Sequence, residues 1–174
     1  MILAFDPGKS GGWAVLSLAG HLVGAGKLRY RDDLLDIDAL RDDVIQWMPP
    51  EDSRAAVAQD VSPGDCVRMA AVEGQRWFGQ GDAKHGPSVV KLIRVEGMLL
   101  GFCMAHRLLT VSPMPREWRG GVGLQAGQKK NASVDLANGL FGWGFTATQD
   151  GIAEAALIAE HCRRHVWPRV RGVL

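Results

Sequence analysis

Along residues 2–28 short apolar runs alternate with glycine-rich turns. Residues 2–5 are apolar and end in Asp6-Pro7-Gly8, Gly11-Gly12 precede a second run at 13–16, and a third run, 21–28, follows the turn at 18–20. Apolar runs of this length bounded by turn formers predict strands, and three in close succession predict an antiparallel meander. From 32 to 48 the period changes: Leu34, Leu35, Ile37, Leu40, Val44, Ile45 and Met48 recur at helical spacing, with acids ahead and Pro49-Pro50 as the stop, which predicts a helix. Residues 51–65 mix Pro, Gly, Ser and scattered charge and predict no element. Residues 68–72 predict a buried strand ending at Glu73-Gly74.

Residues 79–86 read as a polar, glycine-rich loop, after which Pro87-Ser88 opens a long helix to about residue 106. Its apolar residues cover more than one stripe, so it is central or partly at a subunit interface. Residues 108–111 predict a strand, 113–123 a loop rich in Pro, Arg and Gly, and 128–141 and 149–165 the last two helices. Three strands, then helix, strand, helix, strand and helices predict an α/β fold, a mixed sheet flanked by helices.

Composition narrows the class. A chain of 174 residues, 47% hydrophobic and 22% charged, predicts a single domain over 1–174 with a sizeable core and excludes a disordered tail. The longest uninterrupted apolar stretch, 98–105, is far below the ~20 residues that cross a bilayer, so no membrane association is expected. No basic segment precedes a long apolar run at the start, and Cys66, Cys103 and Cys162 are odd in number and scattered. A reduced, cytoplasmic protein without a disulfide frame or zinc knuckle is expected. Net charge is only +1, yet residues 1–66 carry six Lys/Arg against eleven Asp/Glu, and the remainder fourteen against eight. The basic second half suits a polyanion, although uneven surface charge alone would give the same count.

Four acids stand out. Asp6 follows an apolar strand directly, and strand ends are where α/β folds keep their chemistry; Asp is also an ordinary turn former before Pro-Gly. Glu73 repeats the pattern at the end of a second strand. Asp150 and Glu154 are spaced i, i+4 ahead of an apolar helical run, on one face, where like charges repel unless a cation lies between them. Asp150 alone also reads as a helix cap. Oxygen-only clusters suit Mg²⁺ or Mn²⁺ rather than zinc. Gly8-Lys9-Ser10 resembles the end of a phosphate loop, but the glycine such a loop needs five positions before Gly8 is Leu3, which argues against a nucleotide cofactor. His161 and His165, flanked by Arg163 and Arg164, read as surface histidines rather than a metal pair. Trp77 and Phe78 read as base-contacting aromatics or as core or lid residues.

The segments ILAFDPGKSGGWAVL, AAVEGQ, PREWRGGVGL followed by KKNASVDLANGLF, and QDGIAEAALIAEHCRR together resemble the RuvC-type Holliday-junction resolvases, especially compact bacteriophage versions. The resemblance implies an RNase H-like fold, a homodimer packed through the long central helix, and four acids holding two Mg²⁺ ions per site, with Mn²⁺ as a substitute. It assigns Asp6, Glu73, Asp150 and Glu154 as catalytic and metal-binding. It gives Lys129, Lys130, Arg116, Arg119 and either Trp77 or Phe78 to DNA. Many relatives space the last two acids by three residues, which would put Gly151 in the third place. The activity implied is paired symmetric nicking of a four-way junction by two-metal phosphodiester hydrolysis in a bacterial or phage-infected cell. A related nuclease for forks, flaps or RNA is the alternative, and an actin-like ATP-binding fragment is a distant second.

Overall fold

A computed structural model of the chain describes residues 1–8, 10–49, 66–75, 86–125, 128 and 131–171. The sequence segments 51–65 and 76–85 lie outside the described residues. The meander forms as expected: β1 (Ile2–Asp6), β2 (Gly12–Leu16) and β3 (Leu22–Lys27) pair antiparallel in order. On the other side of β1, β6 (Met69–Val72) and β7 (Leu109–Val111) add in parallel, completing the sheet order β3-β2-β1-β6-β7.

Strand alternation then sorts side chains between two cores, because successive residues of a strand face opposite sides. Ile2, Ala4, Ala14, Leu16, Met69 and Ala71 meet α4 (Ala132–Phe141) and α5 (Asp150–His161). Leu3, Phe5, Val15, Ala70 and Val72 meet α1 (Ile37–Val44) and α2 (Gly86–Ala105). The α5 side is built from small residues: Ala153, Ala155, Ala156 and Ala159 are fully buried, which lets the helix lie close on β1 and β2. A π-helical segment at Cys162–Val166 and the short α6 (Trp167–Val170) follow it.

Three sequence expectations are corrected. The helix expected over 32–48 begins later; residues 30–35 instead make a hairpin of β4 (Tyr30–Arg31) and β5 (Leu34–Leu35). Asp32 and Asp33 sit at its turn with φ of 51° and 64°, a left-handed pair that short hairpins need and Asp tolerates. Asp36 then caps α1, its carboxylate accepting from the Ala39 N–H at 3.0 Å. The segment expected to be a loop at 113–123 contains α3 (Pro115–Val122), with Pro at its first turn, Glu117 accepting from the Met114 N–H at 2.9 Å, and Gly123 ending it at φ 91°. Finally, α4 starts at Ala132 rather than 128.

On α2, Leu99 and Phe102 lie inside the chain's own core, at 0% and 7% exposure. The outward face carries Val90, Ile93 and Met104, with Gly97 and Gly101 open between them.

Candidate active site

The register of β1 and β6 aligns Phe5 with Val72, so Asp6 and Glu73 stand side by side one step past the paired strands. The Glu73 N–H donates to the Phe5 carbonyl at 3.0 Å and fixes that step. Alternation places both carboxylates on the α5 side, with Ala4 and Ala71. The N-terminus of α5 arrives at the same spot because two glycines let backbones touch. A Cβ on Gly12 would come within 2.5 Å of the Ile152 Cα, and one on Gly151 within 2.1 Å of the Ser10 carbonyl. That contact delivers Asp150 to the strand ends and Glu154 one turn further along. It also explains the acid's register, since position 151 has no room for a side chain and the neighbouring Asp150 carries the charge.

Asp6 is 7% exposed, Glu73 9% and Asp150 8%. The Gly8 N–H donates to Asp6 Oδ1 at 3.0 Å, and the Tyr30 hydroxyl braces that turn by donating to the Gly8 carbonyl at 3.1 Å. Glu73 accepts from Trp118 Nε1 at 2.8 Å and from Gln75 Nε2 at 3.2 Å. Glu154 accepts from Ser133 Oγ at 2.8 Å and pairs with the Arg119 guanidinium, which lies 5.0 Å over the Trp118 ring. Burial, with Glu73, Glu154 and Asp150 adding repulsion, pushes the Asp6 carboxyl up to about 7, even though the Gly8 N–H opposes it. Glu73 is raised too, by burial first, against the Trp118 bond. Tyr30 is pushed up to about 12 by burial and by Asp6.

A buried carboxylate short of compensating charge fits a cation, and the donors here are oxygens, which suits a hard divalent ion. Among the described residues no three acids, histidines or cysteines are closed into a ready cluster for one. The carboxylates of Glu73 and Glu154 are turned toward the protein's own donors, Trp118, Gln75, Ser133 and Arg119.

The other three sequence-selected acids, Glu73, Asp150 and Glu154, thus fall within electrostatic reach of Asp6. Arg119 reaches the group and Arg116 is exposed on the same helix. Lys129, Lys130, Trp77 and Phe78 lie outside the described residues. Sequence reasoning missed Trp118, Gln75, Ser133 and Tyr30. Trp118 had a legible local signal, since Pro115, Glu117 and the Trp118–Val122 spacing mark a helix start and its buried face. The reading of both histidines as surface groups is corrected for His161, which is buried at 9% exposure and packs its ring 5.2 Å from that of the exposed His165. Its Nδ1 faces Gly121, where a Cβ would come within 2.1 Å.

No protein-family model matches the chain, and no curated protein sequence does. Solved structures do. A Thermus thermophilus RuvC structure in complex with a Holliday junction substrate aligns with a TM-score of 0.60 at 13% identity, covering 97% of this chain and 94% of that one. A second Thermus thermophilus RuvC structure aligns at 0.56 and 15% identity, over 98% and 96%. Both alignments run over nearly the whole of either chain. The chain has the RNase H-like fold of the RuvC structures.

Proposed function

We propose that this protein is a divalent-metal-dependent endonuclease that resolves four-way DNA junctions. The observation that carries the reading is that Glu73, Asp150 and Glu154 all act on the buried Asp6 carboxyl at the strand ends of a RuvC-like fold. Those four carboxylates would hold Mg²⁺ or Mn²⁺, two ions per site. The chemistry such ions supply when bound is activation of water and neutralisation of a leaving oxygen. The chain's own residues do the rest: the Gly8 N–H and Tyr30 orient Asp6, Trp118 and Gln75 orient Glu73, and Ser133 orients Glu154. Arg116, Arg119, Lys129 and Lys130 would contact phosphates, giving affinity with little base discrimination. Trp77 or Phe78 would meet the bases at the junction centre.

The reading includes a homodimer, which brings two sites to two strands. Val90, Ile93 and Met104 support it, at 47%, 39% and 70% exposure along one face of α2. Among the described residues no helix is long and apolar enough to cross a membrane, and Cys66, Cys103 and Cys162 are free thiols, as a cytoplasmic site of action would have them. Ile93→Asp is expected to give a folded monomer on sizing with light scattering, and Leu99→Asp to abolish folding.

The test of function is incubation with labelled four-way junction, fork and duplex DNA in Mg²⁺, Ca²⁺ or EDTA. Paired symmetric nicks in the junction, with Mg²⁺ only, are expected. Equal cutting of all three substrates would make the protein a general nuclease, and no cutting in any would refute the reading.

A further inference from the structure

The loop between α4 and α5 presents an indole that neither core uses. Trp143 is 46% exposed, and Leu140, close to it in sequence, is 40% exposed. Gly142 and Gly144, at φ 68° and 73°, turn the chain on both sides of it, a conformation an L side chain resists. Phe145 is buried and lies stacked against Trp143, with centroids 6.0 Å apart and planes 29° from parallel. The side chain of Asn138 clamps Phe145 from both sides of its backbone, accepting from its N–H at 2.6 Å and donating to its carbonyl at 2.8 Å. Thr146 and Gln149 then close the turn that delivers Asp150, the Thr146 N–H donating to Gln149 Oε1 at 2.9 Å. The result is a braced aromatic, backed by one ring and about half exposed. It stands between α4, which carries the Glu154-binding Ser133, and α5, which opens at Asp150. Residues 136–149 include no Asp or Glu, so nothing in this stretch repels a phosphate backbone.

We propose that Trp143 is a stacking platform for an unpaired base of the DNA that occupies the candidate site. The Asn138 clamp fixes the buried Phe145, and through the ring contact it fixes the exposed indole too; a stacking surface gains from being held in place before binding. The chain runs from this indole directly into Asp150 and carries no acid between 136 and 149, which suits a nucleic acid as the occupant, and the proposal rests on the nuclease reading above.

The test uses the full chain in Ca²⁺, with fluorescein-labelled four-way junction, single-strand-tailed fork and blunt duplex, read by anisotropy. Trp143→Ala should weaken binding to fork and junction by roughly fivefold or more and leave duplex binding nearly unchanged, because a base stacked on an aromatic ring is the contact removed. Trp143→Phe should keep most of the affinity, and the thermal midpoints of both variants should match that of the unaltered protein. Unchanged fork and junction binding in Trp143→Ala overturns the proposal, as does an equal loss on all three DNAs or a failure of the unaltered protein to bind any of them. Mg²⁺ cleavage separates the two ideas: normal cutting with unaltered binding in Trp143→Ala sinks the platform and leaves the nuclease, whereas tight binding without cutting by the unaltered protein sinks the nuclease and leaves the platform.

Discussion

Helix α5 and the segment that continues it touch two buried acidic groups of opposite character. Near its end, Glu160 is 3% exposed and surrounded by cations: Arg163 donates from Nε at 2.6 Å and from Nη2 at 2.8 Å, and Arg164 from Nε at 2.5 Å. Burial opposes its charge, yet the two guanidinium groups hold its carboxyl below the ordinary glutamate range. Near its start, Asp6 is as well hidden but has Glu73, Glu154 and Asp150 as neighbours, and its carboxyl rises to about 7. The first group is complete as it stands and stabilises the turn into the π-helical segment. At the second, burial and the neighbouring acids outweigh the Gly8 N–H that favours the charged form of Asp6, and among the described residues Arg119 is engaged on Glu154. Burial of an acid is thus not in itself a sign of function; the uncompensated charge is.

The contrast breaks most sharply at Asp6. Asp6→Asn should lower cleavage by roughly a thousandfold or more, since several kcal/mol of charge stabilisation in the reaction would be lost. A quenched-flow or gel assay on a junction in Mg²⁺ would show it. The same substitution should stabilise the metal-free protein. The folded-state pKa of Asp6 is raised from 3.8 to about 7, so the folded state holds the proton more tightly than the unfolded chain. Its contribution is therefore nil below the unfolded value, grows more unfavourable as pH rises through the window between the two, and is full above about 7. Its upper limit is about 4 kcal/mol by the relation of about 1.4 kcal/mol per pH unit. Thermal melts in EDTA at pH 8 should place Asp6→Asn above the unaltered protein, and melts at pH 4 should bring the two together.

Glu160→Gln should do the reverse, and by less. Its depressed pKa means that its stabilisation is present above the unfolded glutamate value and disappears as pH falls through the folded one. Losing the charge-assisted bonds should cost about 1–2 kcal/mol near neutrality, because Arg163 and Arg164 keep partial access to water when their partner is gone. The midpoint should fall by roughly 2–8 °C at pH 7, with no loss of junction cutting under conditions where the variant is folded.

Much of this arrangement was legible in the residues. The period-two pattern of β1 and the acid-after-strand motif placed Asp6 and Glu73 together, and the i, i+4 spacing placed Asp150 and Glu154 on one helix face. What local pattern could not carry was contact at long range. The bond from Trp118 to Glu73 spans 45 positions, and that from Ser133 to Glu154 spans 21. The β4–β5 hairpin was hidden because Asp32, Asp33 and Asp36 look like the acidic first turn of a helix, whereas left-handed backbone and a cap are what they supply. At α3 the abundance of Pro, Arg and Gly masked a helix whose Pro115, Glu117 and Gly123 are its start and stop signals. The departure at Gly151 has its cause in the Ser10 carbonyl, which lies where a Cβ would be, a contact between positions 10 and 151 that no local pattern carries.

The most direct test is isothermal titration of the metal-free protein with Mn²⁺ at pH 8 and pH 6, in parallel with Asp6→Asn. Saturable binding is expected at pH 8, with weaker binding at pH 6, protons released on binding, and loss of that binding in Asp6→Asn. Absence of Mn²⁺ binding at pH 8, or equal binding by Asp6→Asn, would contradict the proposed metal site.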